Sequence, residues 1–279
     1  MKEKTSKNSH YTRHTHLCRR YYDKKGSASL PSQRIQKGKT PSIQGTFHLY
    51  GIHSVNAALK NPNRILKALY ITPNALKRLN IVESDLPCPV KQCSPKQLDI
   101  LVGSGAVHQG IVLETEPLKP RRLSELTNTN LVVIMDQITD PHNVGAIMRS
   151  AIAFKAGALI ATNRHSPRES GVLAKAASGA LELIDYIIVQ NLSEALQELS
   201  EVGFTSFGLD SEAQLSLEKT LTGEKIALIL GAEGRGLRQK TRKTVHALVH
   251  LDIPGDIKSL NVSNAATIAL YATHKYLRL

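Results

Sequence analysis

Tryptophan is absent from this chain of 279 residues, and cysteine occurs only three times, at Cys18, Cys88 and Cys93. So few cysteines exclude a secreted scaffold stapled by disulfides and favour a reducing compartment. Apolar runs are short, since none approaches the roughly 20 residues that a membrane helix needs. Hydrophobic residues still make up 41% of the chain, enough to bury a core. We therefore expect a soluble folded protein with no membrane partner.

Acidic residues are scarce in the first 45 residues, which hold 11 Lys or Arg against 2 acids, a net +9 of the chain's +13. Aliphatic residues are scarce there too, so residues 1–45 are predicted to be a disordered basic extension. The extension is interpreted either as a solvated tail or as an arm that binds RNA. It lacks the apolar core of a secretory signal and the amphipathic stripe of a mitochondrial presequence. We expect a cytoplasmic protein, with the mitochondrial matrix as the alternative.

Strand and helix patterns alternate along the rest of the chain. Residues 46–115 predict a small α/β module in which Ser94 caps a helix, and the polar, Pro-containing residues 116–129 predict a linker. From residue 130 to residue 279, continuous apolar strands such as LVVIMD alternate with helical segments. This pattern predicts a larger α/β domain with a mainly parallel sheet, whose ligands would bind beyond the carboxyl ends of the strands.

The loop that follows the strand LVVIMD carries the first set of candidate residues. Asp140 is a good helix N-cap, and Pro141 suits the first helical position. Gly145 in the first turn costs about 1 kcal/mol relative to Ala, which predicts a close backbone approach there. Arg149 stands almost alone among small side chains, a setting in which another backbone or an RNA phosphate can come near and be held by the guanidinium fork.

Two further loops follow apolar strands. The Gly-rich loop at 231–236 matches neither the dinucleotide fingerprint nor the P-loop, so any cofactor would be one other than NAD or ATP, although three Gly can also serve turn geometry alone. In the loop at 251–263, Asn261 or Ser259 can be a plain N-cap of the last helix. That helix has no charge before His274, which predicts that both its faces are covered, one by a partner subunit.

Taken in order, the three loops read D-x-x-x-D-P-x-N-x-G-x-x-x-R, G-A-E-G-x-G and G-x-x-x-S-L-N-V-S. Residues 130–279 thereby resemble the SpoU or TrmH family of S-adenosylmethionine-dependent RNA ribose 2′-O-methyltransferases. Upstream, YGIHSV at 50–55 and GAVHQG at 105–110 resemble the ribosomal-protein-like substrate-binding domain of the RlmB branch, which modifies a guanosine in large-subunit (23S) ribosomal RNA.

The resemblance implies a C-terminal α/β domain with a deep trefoil knot, a rare exception to unknotted topology, and a homodimer formed around it. It implies that S-adenosyl-L-methionine is bound bent, in the knot. Where many members read Ile-Pro-Met before the Gly of the third motif, this chain reads Leu251-Asp252-Ile253-Pro254. The residues carried over as donor-binding are Gly231, Leu251, Ile253 and Leu260. Those carried over as catalytic are Asn143, Arg149, Glu233, Ser259 and Asn261.

Transfer of a methyl group from a sulfonium to a ribose hydroxyl requires in-line geometry and loss of a weakly acidic proton, and it requires no metal. We accordingly expect no metal site, and we interpret Cys88 and Cys93 as two small buried thiols rather than zinc ligands. The guanidinium of Arg149 is a poor base, so we interpret it as a clamp on the RNA phosphate that stabilises developing alkoxide charge, with the proton acceptor unassigned. We interpret His53, His108 and His142 as turn or RNA-contact residues rather than as general bases.

Three functions remain open at this stage. A ribose methyltransferase acting on ribosomal RNA is preferred because of the upstream module, and a relative acting on tRNA is the alternative enzyme. A non-catalytic RNA-binding protein of ribosome assembly would also explain the basic extension. The joint presence of Asn143, Arg149, Glu233 and Asn261 argues against it.

Overall fold

Two β-sheets follow one another along the chain, as the alternating patterns predict. The structure, a computed structural model, describes residues 45–79, 82–119, 121–126, 129–256 and 259–279. The predicted disordered extension and Cys18 thus lie outside the described residues, apart from Gly45.

The first sheet is mixed and has four strands in the order β1-β4-β2-β3. Strand β4 runs antiparallel to β1 and β2, while β3 pairs parallel with β2. Ser94 is the N-cap of α3, as predicted, and its backbone N–H donates to Gln97 Oε1 over 2.8 Å. The elements are β1 (Phe47–Tyr50), α1 (Ile52–Lys60), β2 (Leu66–Ile71), α2 (Pro73–Arg78), β3 (Val90–Gln92), α3 (Pro95–Val102) and β4 (Ile111–Thr115).

The second sheet has seven strands in the order β7-β6-β5-β10-β8-β11-β9, and every pairing is parallel. Every residue of β5 is buried, which explains why its first five residues are all apolar. The predicted α/β fold with a mainly parallel sheet is confirmed. The elements are β5 (Leu131–Asp136), α4 (Pro141–Ala153), β6 (Ala158–Thr162), α5 (Gly171–Ala177), β7 (Asp185–Val189), α6 (Leu192–Glu201), β8 (Phe204–Leu209), β9 (Leu215–Ser216), α7 (Leu217–Thr220), β10 (Lys225–Gly231), α8 (Gln239–Thr244), β11 (Ala247–His250) and α9 (Val262–Leu277).

Helix α4 begins and packs as its sequence predicts. The side chain of Asp140 accepts a hydrogen bond from the His142 N–H at 3.0 Å, and Pro141 occupies the first turn. A Cβ at position 145 would lie only 2.7 Å from the backbone nitrogen of Ala177 in α5. The close backbone approach predicted at Gly145 is therefore confirmed, and the approaching backbone is that of α5.

Helix α9 packs one face on its own chain and leaves the other exposed. Ala266 and Ala269 are buried, whereas Ile268 is 44% and Tyr271 55% exposed. The described part of this chain thus covers one face of α9, and the cover of the other face by a partner subunit stays a prediction. None of the described helices has the length and apolarity that a membrane span needs.

The thiols differ from the sequence prediction in one respect. Cys88 is buried, as expected, but Cys93 is only half-buried. Among the described residues, no three His, Cys, Asp or Glu side chains come together in a way that would hold a metal ion.

Candidate active site

The carboxyl ends of the parallel strands enclose one side of a cleft of about 870 Å³. This volume falls within the range of about 300–1,000 Å³ that is typical of small-molecule sites. The loops that follow β8, β10 and β11 supply its walls, together with the first turns of α9. The cleft thus lies where an open parallel sheet normally binds its ligand.

The four residues predicted to bind the methyl donor, Gly231, Leu251, Ile253 and Leu260, all line this cleft. They come from two loops separated by about 20 residues of chain, which the parallel order of β10, β8 and β11 brings to one edge. Their assignment to the donor stays a prediction.

Three of the predicted catalytic residues form a polar cluster at the rim of the cleft, referred to below as the amide–carboxylate cluster: Asn143, Glu233 and Asn261. The Asn261 Nδ2 donates to Glu233 Oε1 at 2.8 Å and to Asn143 Oδ1 at 3.1 Å. The Asn143 Nδ2 donates to the same Glu233 Oε1 at 3.1 Å. Residues from the starts of α4 and α9 thereby fix one carboxylate oxygen.

Asn261 serves the last helix as well as the cluster. Its Oδ1 accepts hydrogen bonds from the Ser263 N–H at 2.9 Å and from the Ser263 Oγ at 2.6 Å, so it is the N-cap of α9. The capping interpretation is therefore correct, and the same side chain still reaches the cluster through its nitrogen.

The Gly-rich loop owes its position to a buried carboxylate that begins the first motif but to which the sequence interpretation assigns no role. Asp136, at the end of β5, is fully buried and accepts hydrogen bonds from the Arg238 N–H (3.0 Å), the Arg238 Nε (2.5 Å) and the Thr241 Oγ1 (2.7 Å). These contacts hold the chain just beyond Gly236, while Ala232 and Gly236 exchange two backbone hydrogen bonds. The available sequence signal was an acid that ends a wholly apolar strand.

The cleft is acidic on the side of β11. The Asp252 carboxylate accepts from the Ser216 Oγ at 2.8 Å and pairs with the His250 Nε2 at 3.0 Å. The hydrogen bond from Ser216, with a smaller contribution from His250, holds the pKa of Asp252 below its ordinary value, so this carboxyl group is ionised at neutral pH. Asp210, also in the lining, is ion-paired with Arg242.

The other two predicted catalytic residues lie apart from the cluster. Ser259 is exposed and lines the cleft. Arg149 is exposed on α4, does not line the cleft, and has no hydrogen bond or ion pair with any described residue. Its neighbour Ser150 lies 2.7 Å, Oγ to Oγ1, from Thr267, so the Arg149 segment is fixed against α9.

The three candidate histidines are not placed as bases at the cleft. His53 and His142 are exposed, and none of the three candidates lines the cleft. His108 Nδ1 accepts from the Gly110 N–H at 3.0 Å, which fits the predicted turn role. Its Nε2 lies 3.3 Å from Asp99 Oδ1, a carboxylate pairing that the sequence did not reveal.

Comparison with known proteins identifies the family. Residues 130–271 match the model of the SpoU rRNA Methylase family. The chain belongs to the SpoU family. Residues 48–121 match the model described as RNA 2′-O ribose methyltransferase substrate binding, which contains the whole first sheet apart from Phe47.

Relatives named RlmB and solved structures of SpoU proteins match most of the chain. The 23S rRNA (guanosine-2′-O-)-methyltransferase RlmB of Pseudomonas putida is 34% identical over 235 residues, which is 80% of this chain and 94% of the relative. RlmB of Haemophilus ducreyi is 35% identical over 234 residues, or 80% and 95% of the two chains. The SpoU methyltransferase AviRb of Streptomyces viridochromogenes, solved with AdoMet, has a TM-score of 0.71 at 21% identity and covers 83% of this chain and 90% of its own. This last likeness concerns the fold.

Proposed function

We propose that this protein transfers a methyl group from S-adenosyl-L-methionine to the ribose 2′-hydroxyl of a guanosine in 23S ribosomal RNA. The amide–carboxylate cluster at the rim of a ligand-sized cleft is the observation that carries the proposal. Its residues belong to the region that matches the SpoU rRNA methylase family. The RlmB relatives, which act on 23S rRNA, match both that region and the upstream module.

The cleft suits the chemistry of the methyl donor. Leu251, Ile253 and Leu260 offer an apolar wall for the adenine ring, and the backbone of the two loops offers polar groups for its edge. The ionised carboxylate of Asp252 complements the donor's positive charges, and Glu233 lines the same cleft. When bound, the donor would supply an electrophilic methyl group, whose S–CH3 bond breaks as the C–O bond forms, so that the sulfonium would leave as a neutral thioether.

The side chains at the rim would orient the ribose. Glu233 Oε1 is saturated by two amides, so Oε2 is left to accept a hydrogen bond from a substrate hydroxyl. Asn143 and Asn261 hold that carboxylate in place and thereby fix the direction of attack. Arg149 clamps the neighbouring RNA phosphate and stabilises the negative charge that develops as the hydroxyl loses its proton. Ser259 borders the same space.

The same proposal assigns the remaining regions and partners. Residues 46–115 bind the ribosomal RNA, and residues 130–279 form the catalytic domain with a trefoil knot. Residues 116–129 are the linker between them. A homodimer covers the exposed face of α9, on which Ile268 and Tyr271 stand apart from the chain's own core. The reaction takes place in the cytoplasm and uses no metal.

Incubation with radiolabelled methyl donor and unmodified 23S rRNA tests the proposal, followed by mapping of the labelled nucleotide. We expect one labelled guanosine that resists alkaline hydrolysis at its 3′ side, because the 2′-hydroxyl is blocked. Unmodified tRNA serves as the parallel substrate, and its exclusive labelling would instead support the tRNA-acting alternative. Tight binding of 23S rRNA without label would support the non-catalytic alternative.

A further inference from the structure

Arg64, in the turn before β2, has a fully buried side chain. Its Nε and Nη2 donate to the two carboxylate oxygens of Glu182 at 3.1 and 2.6 Å, as a bidentate fork. Its Nη1 donates to Glu169 Oε2 at 2.7 Å and to the Glu116 carbonyl oxygen at 3.0 Å. One cation therefore joins two carboxylates and one backbone group away from solvent.

Both carboxylate partners of Arg64 belong to the region of the second sheet, although neither lies in a strand. Glu169 and Glu182 flank α5, which packs in the catalytic region, whereas Arg64 belongs to the RNA-binding module. The contact between these two regions is referred to below as the junction. Three further hydrogen bonds cross it: Asn61 Nδ2 to Glu182 Oε2 (2.8 Å), Ser54 Oγ to the Ala174 carbonyl oxygen (2.8 Å), and Lys175 Nζ to Gln109 Oε1 (2.7 Å).

The junction also lacks space for adjustment. A Cβ at Gly171, the first residue of α5, would collide with the His48 carbonyl oxygen and with the ring of Tyr50, which lie on β1. Apolar residues of both regions, such as Val55 and Val144, belong to one hydrophobic cluster. The two regions are thus packed directly on each other.

Replacing a buried ion pair with apolar groups is often neutral or even stabilising, so a gain in stability does not explain the Arg64 cluster. Desolvation makes such clusters only marginally stabilising, but any other arrangement would leave a buried charge without its partner. Apolar contacts alone are less directional, because hydrophobic attraction depends on area and not on angle. The fork between Arg64 and Glu182 therefore restricts the junction to one relative orientation.

We propose that Arg64 is a positioning residue for RNA selection, which fixes the RNA-binding module at one distance and angle from the amide–carboxylate cluster through Glu169 and Glu182. The guanosine to be methylated is then chosen by this fixed geometry and not by a flexible tether. The inference rests on the proposed function. Arg64 touches neither RNA nor donor, because its guanidinium is enclosed by protein.

The test uses the full chain with Arg64→Met, Arg64→Lys and the triple variant Arg64→Met/Glu169→Gln/Glu182→Gln. The triple variant removes the buried charges together, so it folds even if the single change leaves the carboxylates too unfavourable. Lys67→Met is the matched control, since it removes one charge from the same module at an exposed ion pair with Glu116. The measurements are kcat and KM on 23S rRNA, the positions of the methylated nucleotides, donor affinity by calorimetry, and the rates of amide hydrogen exchange in β1 and α5.

For Arg64→Met and the triple variant we expect KM for 23S rRNA to rise by about tenfold or more while kcat changes less, because misplacement of the substrate is costly. We also expect methylation at additional nucleotides, faster exchange in β1 and α5, and unchanged donor affinity. Arg64→Lys keeps the charge without the fork and should be intermediate. Lys67→Met should retain the single methylated guanosine and the wild-type exchange rates.

Two results would overturn the inference. The first is unchanged exchange in β1 and α5, which would mean that the ion cluster does not hold the junction. The second is faster exchange with wild-type KM and a single methylated guanosine, which would mean that the junction does not select the RNA. Exchange needs no RNA, so it judges the junction even if the wild-type protein modified no 23S rRNA, a result that would contradict the proposed function itself.

Discussion

Asn261 combines two tasks in one amide, and these tasks can be separated chemically. Its oxygen caps α9 and its nitrogen donates to Asn143 and Glu233. Aspartate is as good an N-cap as asparagine, but it cannot donate to the cluster and would place a second carboxylate next to Glu233. The stability and the activity of the Asn261→Asp variant should therefore respond differently.

We expect Asn261→Asp to keep its melting temperature close to wild type and to lose about 10²–10³-fold in kcat, the magnitude for removal of one orienting donor. Asn261→Ala removes cap and donor together, so it should lose activity and about 1 kcal/mol of stability as well. Thermal unfolding and single-turnover methylation measure the two effects. Near-normal turnover of Asn261→Asp would remove the amide donor from the mechanism.

Arg149 is one of the two predicted catalytic residues that lie apart from the cluster, and unlike Ser259 it does not line the cleft. Because it does not line the cleft, Arg149→Ala should leave donor affinity by calorimetry nearly unchanged. The methylation rate should fall by about 10²–10³-fold, because the charge on the 2′ oxygen loses its counterion. Arg149→Lys, which keeps a charge but not the fork, is the control and should be intermediate. A variant with normal rate would exclude Arg149 from catalysis.

The buried cluster at Arg64 predicts a pH-dependent stability. Burial raises the pKa of Glu169, and Arg64 opposes that shift. Without Arg64 the pKa of Glu169 in the folded protein would rise further above its value in the unfolded chain. The folded form would then bind a proton more tightly, and it would lose stability as pH rises from the unfolded pKa to the folded pKa. Arg64→Met should cost about 3–5 kcal/mol at pH 7 and clearly less near pH 5. Urea unfolding at both pH values measures this difference, and an equal loss at both would contradict it.

At the scale of elements, the sequence predicts what depends on local pattern. Apolar runs and helical periodicity in the sequence predict β5, α4 and α9. Asp140 and Ser94 are predicted as helix caps because capping depends on neighbouring residues only. Helix α8 (Gln239–Thr244) was missed because QKTRKT has no apolar period. It is held by Thr241, whose hydroxyl reaches Asp136 across 105 residues of chain.

The candidate site shows the same limit. The three hydrogen bonds of the amide–carboxylate cluster join residues 28, 90 and 118 positions apart, so spacing alone cannot reveal them. The resemblance to a family supplied those residues, and the order of the parallel strands explains why they meet. The Arg64 cluster escaped notice because neither its Arg nor its Glu residues belong to a motif.

Helix α9 allows folding and dimerisation to be tested separately. Ala266 and Ala269 are buried on their own chain, so a charge there should impair folding whether or not a partner binds. Ile268 and Tyr271 are exposed, so Ile268→Asp should leave the fold intact and dissociate the proposed dimer. Light scattering should give a molar mass of twice 30.5 kDa for the wild type and of about 30.5 kDa for the variant. A well-folded wild-type monomer would contradict the dimer.

At the scale of the whole molecule, positive charge is concentrated at one end. Residues 1–45 carry a net +9, and all later residues together carry +4. Contacts between lysine or arginine and phosphates release counterions, so they contribute affinity that depends on salt but not on sequence. Selection of the nucleotide must then come from the remainder of the chain, where the proposed RNA-binding module is packed on the proposed catalytic domain.

Deleting residues 1–45 should therefore weaken binding of 23S rRNA at low salt and flatten the dependence of log K on log salt, since each lost phosphate contact reduces the slope by about 0.7–0.9. The methylated guanosine should stay the same, because the deletion leaves Arg64, its two glutamates and the amide–carboxylate cluster in place. Filter binding between low and physiological salt measures the slope, and mapping of the methylated nucleotide measures selection. A chain with all Lys and Arg of the extension changed to Gln keeps its length and should reproduce the deletion. A changed target nucleotide, or an unchanged salt slope, would show that affinity and selection are not divided in this way.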